Sequence, residues 1–88
     1  MIREKDIETA LVKRIKALGG LPYKFASPGH RAVPDRLCLL PGGRTLFVEL
    51  KRPGGRPTAL QAHEHERLRG LGFEVLVIDS KEAARAVT

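Results

Sequence analysis

The sequence predicts an α/β fold: one mixed β-sheet with helices packed on it. Three observations lead there. The chain has 88 residues, room for one small domain spanning 1–88. Helical apolar spacing appears at the start and again after residue 58, and strand-like segments separated by Gly- and Pro-rich turns lie between and after them. The resulting order is helix, strand, strand, strand, helix, strand, short helix.

Ile7, Leu11, Ile15 and Leu18 form one stripe, which predicts a helix over about Ile2–Leu18. Gly19-Gly20 ends it, since glycine accepts the left-handed cap conformation cheaply. Tyr23 and Phe25 alternate with polar or small residues as in a short strand, and Ser27–Arg31 reads as an exposed basic loop. Pro34 biases Val33 towards extended geometry, and Asp35–Leu40 follows as a strand. Pro41-Gly42-Gly43 is a tight turn into a second strand, Thr45–Arg52, so the two make a β-hairpin. After the loop Pro53–Pro57, a helix runs from about Thr58 to Arg69, with Leu60, Glu64 or His63, Leu68 and Leu71 expected on or near its inner face. Phe73–Ile78 is a nearly continuous apolar run, read as a buried strand. Ser80 caps a last short helix, Lys81–Val87.

Composition narrows the function classes. One cysteine excludes a disulfide framework and a Cys-rich zinc site, and Cys38, inside an apolar run, reads as a small buried hydrophobe. No apolar stretch reaches the ~18 residues of a membrane span and no signal-peptide core is present, so a soluble, cytosolic protein is expected. Sixteen Lys and Arg against ten Asp and Glu give a net charge of +6 and a pI near 10.1, which suits a polyanionic partner such as nucleic acid. Zinc-finger spacing, a Walker-type loop and a helix-turn-helix are all missing, so base-specific reading is not indicated.

The hairpin carries the chemistry. On a strand, Glu49 and Lys51 share one face, while Leu46, Val48 and Leu50 form an apolar row on the other. The turn length decides whether Asp35 joins them. A three-residue loop pairs Leu40 with Arg44 and sets Asp35 opposite Glu49; a two-residue loop sets it opposite Leu50, on the wrong face. The sequence permits either. Two facing carboxylates bind a hard divalent cation, and an adjacent lysine orients or deprotonates water and offsets transition-state charge. The bland alternative is a solvated strand face with a Glu–Lys pair. Glu8 is equally a first-turn acid favoured by the helix dipole, and Gln61 completes a Thr-x-x-Gln capping box with Thr58. His63 and His65, two apart on a helix, diverge and read as surface or satisfied residues.

Helix-borne Glu8, Pro34-Asp35, Glu49-Leu50-Lys51 and Gln61, in this order and spacing, resemble the PD-(D/E)XK nuclease superfamily with its restriction-endonuclease-like core. Within it, nearly the whole chain resembles the VRR-NUC (virus-type replication–repair nuclease) family, including Gly54-Gly55 before the Gln61 helix and the Phe73–Ile78 strand. The resemblance implies a Mg2+- or Mn2+-dependent endonuclease acting on DNA. Asp35, Glu49 and the Leu50 backbone carbonyl would ligate the metal, and Lys51 would activate water. Glu8 would hold a metal-bound water or a second ion, and Gln61 would orient the lysine or the nucleophile. The family usually shows glycine two residues before the Pro-Asp proline; here it is Ala32. Lys24, His30, Arg31, Arg36, Arg52 and Arg56 flank the site and are expected to grip phosphates. A homodimer, with Leu21, Tyr23 and Phe25 as candidate contacts, would present two sites about a two-fold axis and suit branched DNA such as a four-way (Holliday) junction in DNA repair. The competing expectations are a non-catalytic nucleic-acid-binding module and a general or single-strand nuclease.

Overall fold

The computed structural model describes residues 1–88, whose elements in chain order are α1 (Glu4–Ala17), β1 (Leu21–Lys24), β2 (Arg36–Leu40), β3 (Arg44–Leu50), α2 (Ala59–Gly70), β4 (Glu74–Ile78) and α3 (Lys81–Arg85). The expected order and types hold. The sheet is mixed, in the order β1-β2-β3-β4: the first three strands are antiparallel and β4 runs parallel to β3, joined to it through α2.

The apolar stripe of α1 does what its spacing dictates. Ile7, Leu11 and Ile15 are fully buried on the sheet face that carries Cys38, Leu40, Leu46, Val48, Leu50 and Ile78, and Ala84 and Val87 of the C-terminal segment complete this core. At the N-terminus the Asp6 carboxylate accepts from the Arg3 backbone N–H at 2.8 Å. The turn from α1 into β1 lies tight against the sheet: a Cβ on Gly20 would meet the Leu39 carbonyl oxygen at 2.6 Å, so only glycine fits there.

The hairpin turn has the three-residue form. Pro41–Gly43 makes a single 3-10 turn in which Gly42 and Gly43 adopt φ of 79° and 75°. Leu40 therefore pairs with Arg44 and Arg36 with Val48, and the same register carried one residue further sets Asp35 across from Glu49. Leu46, Val48 and Leu50 face α1, whereas Phe47 and Glu49 face α2.

Two expectations need correction. The inner face of α2 is not apolar: Leu60 and Leu71 are exposed, and the buried residues are Glu64 and His65. Phe73–Ile78 is not buried on both faces. The strand proper begins at Glu74 and lies at the sheet edge, where Leu76 and Val77 remain partly exposed. A helix with so few inward apolar groups covers its side of the sheet thinly, and Phe25, Phe47 and Phe73 fill the gap as a cluster of one tilted and one edge-to-face pair, with centroids 5.8 and 5.6 Å apart. No helix is long and apolar enough to cross a membrane.

Candidate active site

Asp35 ends a constrained approach to β2. Pro34 is buried, and the Phe25 N–H donates to the Asp35 carbonyl at 2.9 Å, extending the β1–β2 pairing. Ala32 adopts φ of 63°, the only left-handed conformation outside glycine in the chain. Such a backbone is strained for any residue with a Cβ, which is why glycine suits this position. From this turn the Asp35 carboxylate reaches across the hairpin, and its Oδ2 accepts from the Leu50 backbone N–H at 2.7 Å.

Glu49 sits beside it on the α2 face with 2% of its surface exposed. Burial, then a hydrogen bond to the neighbouring Asp35 carboxyl, then that group's negative charge push the Glu49 carboxyl up to about 8 from an ordinary 4.5. Lys51 works against this rise: its Nζ lies 3.8 Å from Glu49 Oε2. The lysine is itself held by Gln61, whose Oε1 accepts from Nζ at 2.8 Å. The same Oε1 accepts from the Thr58 backbone N–H at 2.9 Å while the Thr58 hydroxyl accepts from Gln61 N–H at 3.2 Å. The capping box and the lysine contact thus coexist in one side chain.

The structure brings Asp35, Glu49, Lys51 and Gln61 together and treats the other expected site residues differently. Glu8 is engaged elsewhere: its Oε2 accepts two hydrogen bonds from the Arg36 guanidinium, at 3.2 and 2.9 Å. The α1 carboxylate whose charge adds to the rise of Glu49 is Glu4, one helical turn earlier. Arg36 is correspondingly lost as a phosphate ligand, because it pairs with Glu8 and donates to the Pro22 carbonyl at 2.7 Å, on the α1 side of the sheet. Lys24 pairs across from Arg36 and so lies on that same side. His30 is tied to α2 by Glu64, Nε2 to Oε1 at 2.7 Å, which anchors the loop before Asp35. Arg31, Arg52 and Arg56 remain exposed without a carboxylate partner.

One residue of the site escaped the sequence reading. His65, read as surface or satisfied, is 2% exposed with Nε2 at 3.4 Å from Glu49 Oε1. Burial, with the positive charges of Arg69 and Lys51, holds its pKa below the usual histidine value and favours the neutral ring. The neutral ring and the Glu49 carboxyl share one hydrogen bond, whose direction follows the His65 tautomer. The available signal was spacing: His65 lies four residues after Gln61, hence on the same helix face.

No cluster of three or more His, Cys, Asp or Glu is arranged as a metal cage. Two crowded carboxylates, one of them kept protonated by burial and then by the other, are nonetheless a donor set that a hard divalent cation satisfies, since magnesium takes one or two carboxylates and fills its remaining positions with water and phosphate oxygens.

No family model matches the sequence. It is 52% identical over 82 residues to a protein of Acyrthosiphon pisum secondary endosymbiont phage 1 named "Putative nuclease p44", covering 93% of this chain and 88% of that protein. Among solved structures it is similar to a "VRR_NUC domain", with a TM-score of 0.88 and 35% identity over 96% of this chain and 91% of the other.

Proposed function

Since the chain belongs to the VRR-NUC family of nucleases, we propose that it is a metal-dependent endonuclease that hydrolyses DNA phosphodiester bonds at Asp35, Glu49 and Lys51. The observation that carries this reading is Glu49, buried against the half-buried Asp35, with a lysine beside it that Gln61 holds in place. A strand face that is merely solvated has no reason to bury one carboxylate beside another at the cost of shifting it this far.

Asp35 Oδ1, Glu49 and the Leu50 carbonyl would hold Mg2+ or Mn2+. The ion supplies Lewis-acid polarisation of the phosphate and a more acidic bound water. The chain's own residues do the rest. Asp35, fixed by the Leu50 N–H, and Glu49, fixed by His65, present their oxygens in one place. Lys51, anchored on Gln61, aims its ammonium at the same place, where it orients the attacking water and offsets the charge that gathers on phosphoryl oxygens as the P–O bond to the leaving group breaks. Arg31, Arg52 and Arg56 are the free cations placed to contact phosphates on either side.

Branched DNA, with the four-way junction foremost, is the substrate class that suits a catalytic domain this small, and a homodimer gives it two sites. Support for pairing comes from the thinly covered α2 face, where Leu21, Tyr23 and Leu39 form an exposed apolar strip across β1 and β2. Phe25 is not part of this strip, because its ring packs at a tilt against Phe47. A cytoplasmic place of action, of phage or bacterial type, goes with this reading. The test is a panel of end-labelled duplex, single-stranded, flap and four-way DNA, incubated with Mg2+, Mn2+ or EDTA, alongside sedimentation of the same protein. Metal-dependent cutting that favours the four-way substrate, by a dimer, is expected. Equal cutting of all four by a monomer overturns the junction reading, and binding without cutting in either metal overturns the nuclease reading.

A further inference from the structure

The helical layer on the far side of the sheet carries a second concentration of positive charge. Of the sixteen Lys and Arg, six have a carboxylate within 4 Å: Arg3, Arg36, Arg44, Lys51, Arg67 and Arg69. Four of the remaining ten, Lys24, Arg31, Arg52 and Arg56, belong to β1 and the loops near the site. The other six, Lys5, Lys13, Arg14, Lys16, Lys81 and Arg85, all belong to α1 and α3. More uncompensated charge therefore lies on the helical layer than around the carboxylates.

Four of those six line a cleft of about 480 Å³ between the two helices: Lys13 and Arg14 on one wall, Lys81 and Arg85 on the other. Lys81 and Arg85, four apart, lie on one face of α3, and the positions α1 contributes to the cleft recur at spacings of three and four residues. The single acid in the cleft, Asp6, is already engaged by the Arg3 backbone N–H, which with Arg3 itself and Lys81 keeps it ionised below the usual carboxylate range. Arg14 donates from Nε to the Val87 carbonyl at 2.6 Å, which fixes the guanidinium at the end of α3 and leaves its charge unpaired. The only apolar lining is Ala10 and Ala17. A protein partner is anchored by large apolar or aromatic side chains, and this cleft offers no pocket for them. Two walls of cations over a floor of small residues suit a chain of phosphates.

We propose that this cleft binds the phosphate backbone of a second nucleic-acid segment, distinct from the one held at Asp35 and Glu49. The proposal rests on the reading of the chain as a DNA-acting enzyme. The two sites occupy opposite sides of the sheet: Glu49 faces α2, while α1 and α3 cover the face of Leu46, Val48 and Leu50. The molecule measures 35 × 30 × 21 Å, so a stiff duplex lying along one face does not reach the other. Both sites are filled together by two arms of a branched molecule or by two separate segments.

The experiment counts duplexes bound per chain and measures the salt dependence of binding in EDTA, where no cutting occurs. The wild type is compared with Lys13→Gln/Arg85→Gln and with the reversal Lys13→Glu/Arg85→Glu, whose exposed positions leave the core intact. A fluorescent duplex of about 12 base pairs is the probe, and losing two phosphate contacts lowers the slope of log K against log salt by about 2. Two duplexes per chain for the wild type, one for both variants and the lower slope are expected, with cutting of a short linear substrate in Mg2+ unchanged. Unaltered stoichiometry and slope in both variants overturn the cleft. A wild type that binds two duplexes and cuts none refutes the nuclease reading and leaves the cleft standing. One that cuts normally but binds a single duplex does the reverse.

Discussion

Glu49 is the side chain on which burial, hydrogen bonding and charge act most strongly. Its carboxyl keeps its proton up to about 8 when folded and to about 4.5 when unfolded, so the folded pKa is raised. Such a group favours the folded state fully below the unfolded value, and the contribution fades as pH climbs between the two values. In the metal-free protein, the melting temperature of the wild type should therefore fall relative to that of Glu49→Gln between about pH 5 and pH 8. Thermal melts of both proteins in EDTA check this, and a gap that does not change with pH contradicts it. Ala32 supplies a second test. At φ of 63° its Cβ is strained, and Ala32→Gly should stabilise the domain by about 1 kcal/mol, raising the melting temperature by roughly 4–8 °C. At this scale the sequence was informative where a motif fixes position: Asp35, Glu49, Lys51 and Gln61 all meet as expected. It named Glu8 as the α1 acid of the site, whereas Glu8 pairs with Arg36 and the α1 charge that raises Glu49 is that of Glu4; the two share a helix face and only the packing angle separates them.

The hairpin and α2 together make the site, and each could be read only in part from the sequence. Alternation along β3 located the core face, but the parity of Asp35 depended on whether the turn held two residues or three. The left-handed Gly42 and Gly43 settle it at three. Apolar periodicity misled along α2, since its inward positions carry Glu64 and His65, which are buried through partners from the loop and the sheet instead of by apolar packing. Gln61 joins two duties in this helix, and they can be separated. Thr58→Ala removes the hydroxyl cap and should cost about 1 kcal/mol while leaving the lysine contact and the cutting rate well below the melting point nearly intact. Gln61→Ala should cost a similar amount of stability and also slow cutting by about tenfold or more, because Lys51 loses its anchor. Melting curves and single-turnover rates on both variants decide it; equal rates would assign Gln61 to the cap alone.

Across the whole molecule, the sheet divides two kinds of surface. One side holds the densely packed core under α1 and α3, with unpaired cations on its outer helices. The other holds the carboxylates, the lysine and a thin apolar cover. The net charge of +6 pointed to a polyanion without saying where it would bind, and the expected grip on phosphate was assigned wholly to the site loops. Arg36 drops out of that set, and the helical layer enters it, through ion pairing that no sequence pattern displays. In the proposed hydrolytic centre, Asp35, Glu49 and Lys51 act together. The most direct measurement of this is the single-turnover cleavage rate of end-labelled four-way DNA by the wild type and by Lys51→Ala, each in Mg2+ and in EDTA. The wild type should cut only with the metal, and Lys51→Ala should be slower by about 10²–10⁴-fold while still folded. Cutting by Lys51→Ala at the wild-type rate, or cutting that persists in EDTA, would rule out a metal-dependent centre built on these three residues.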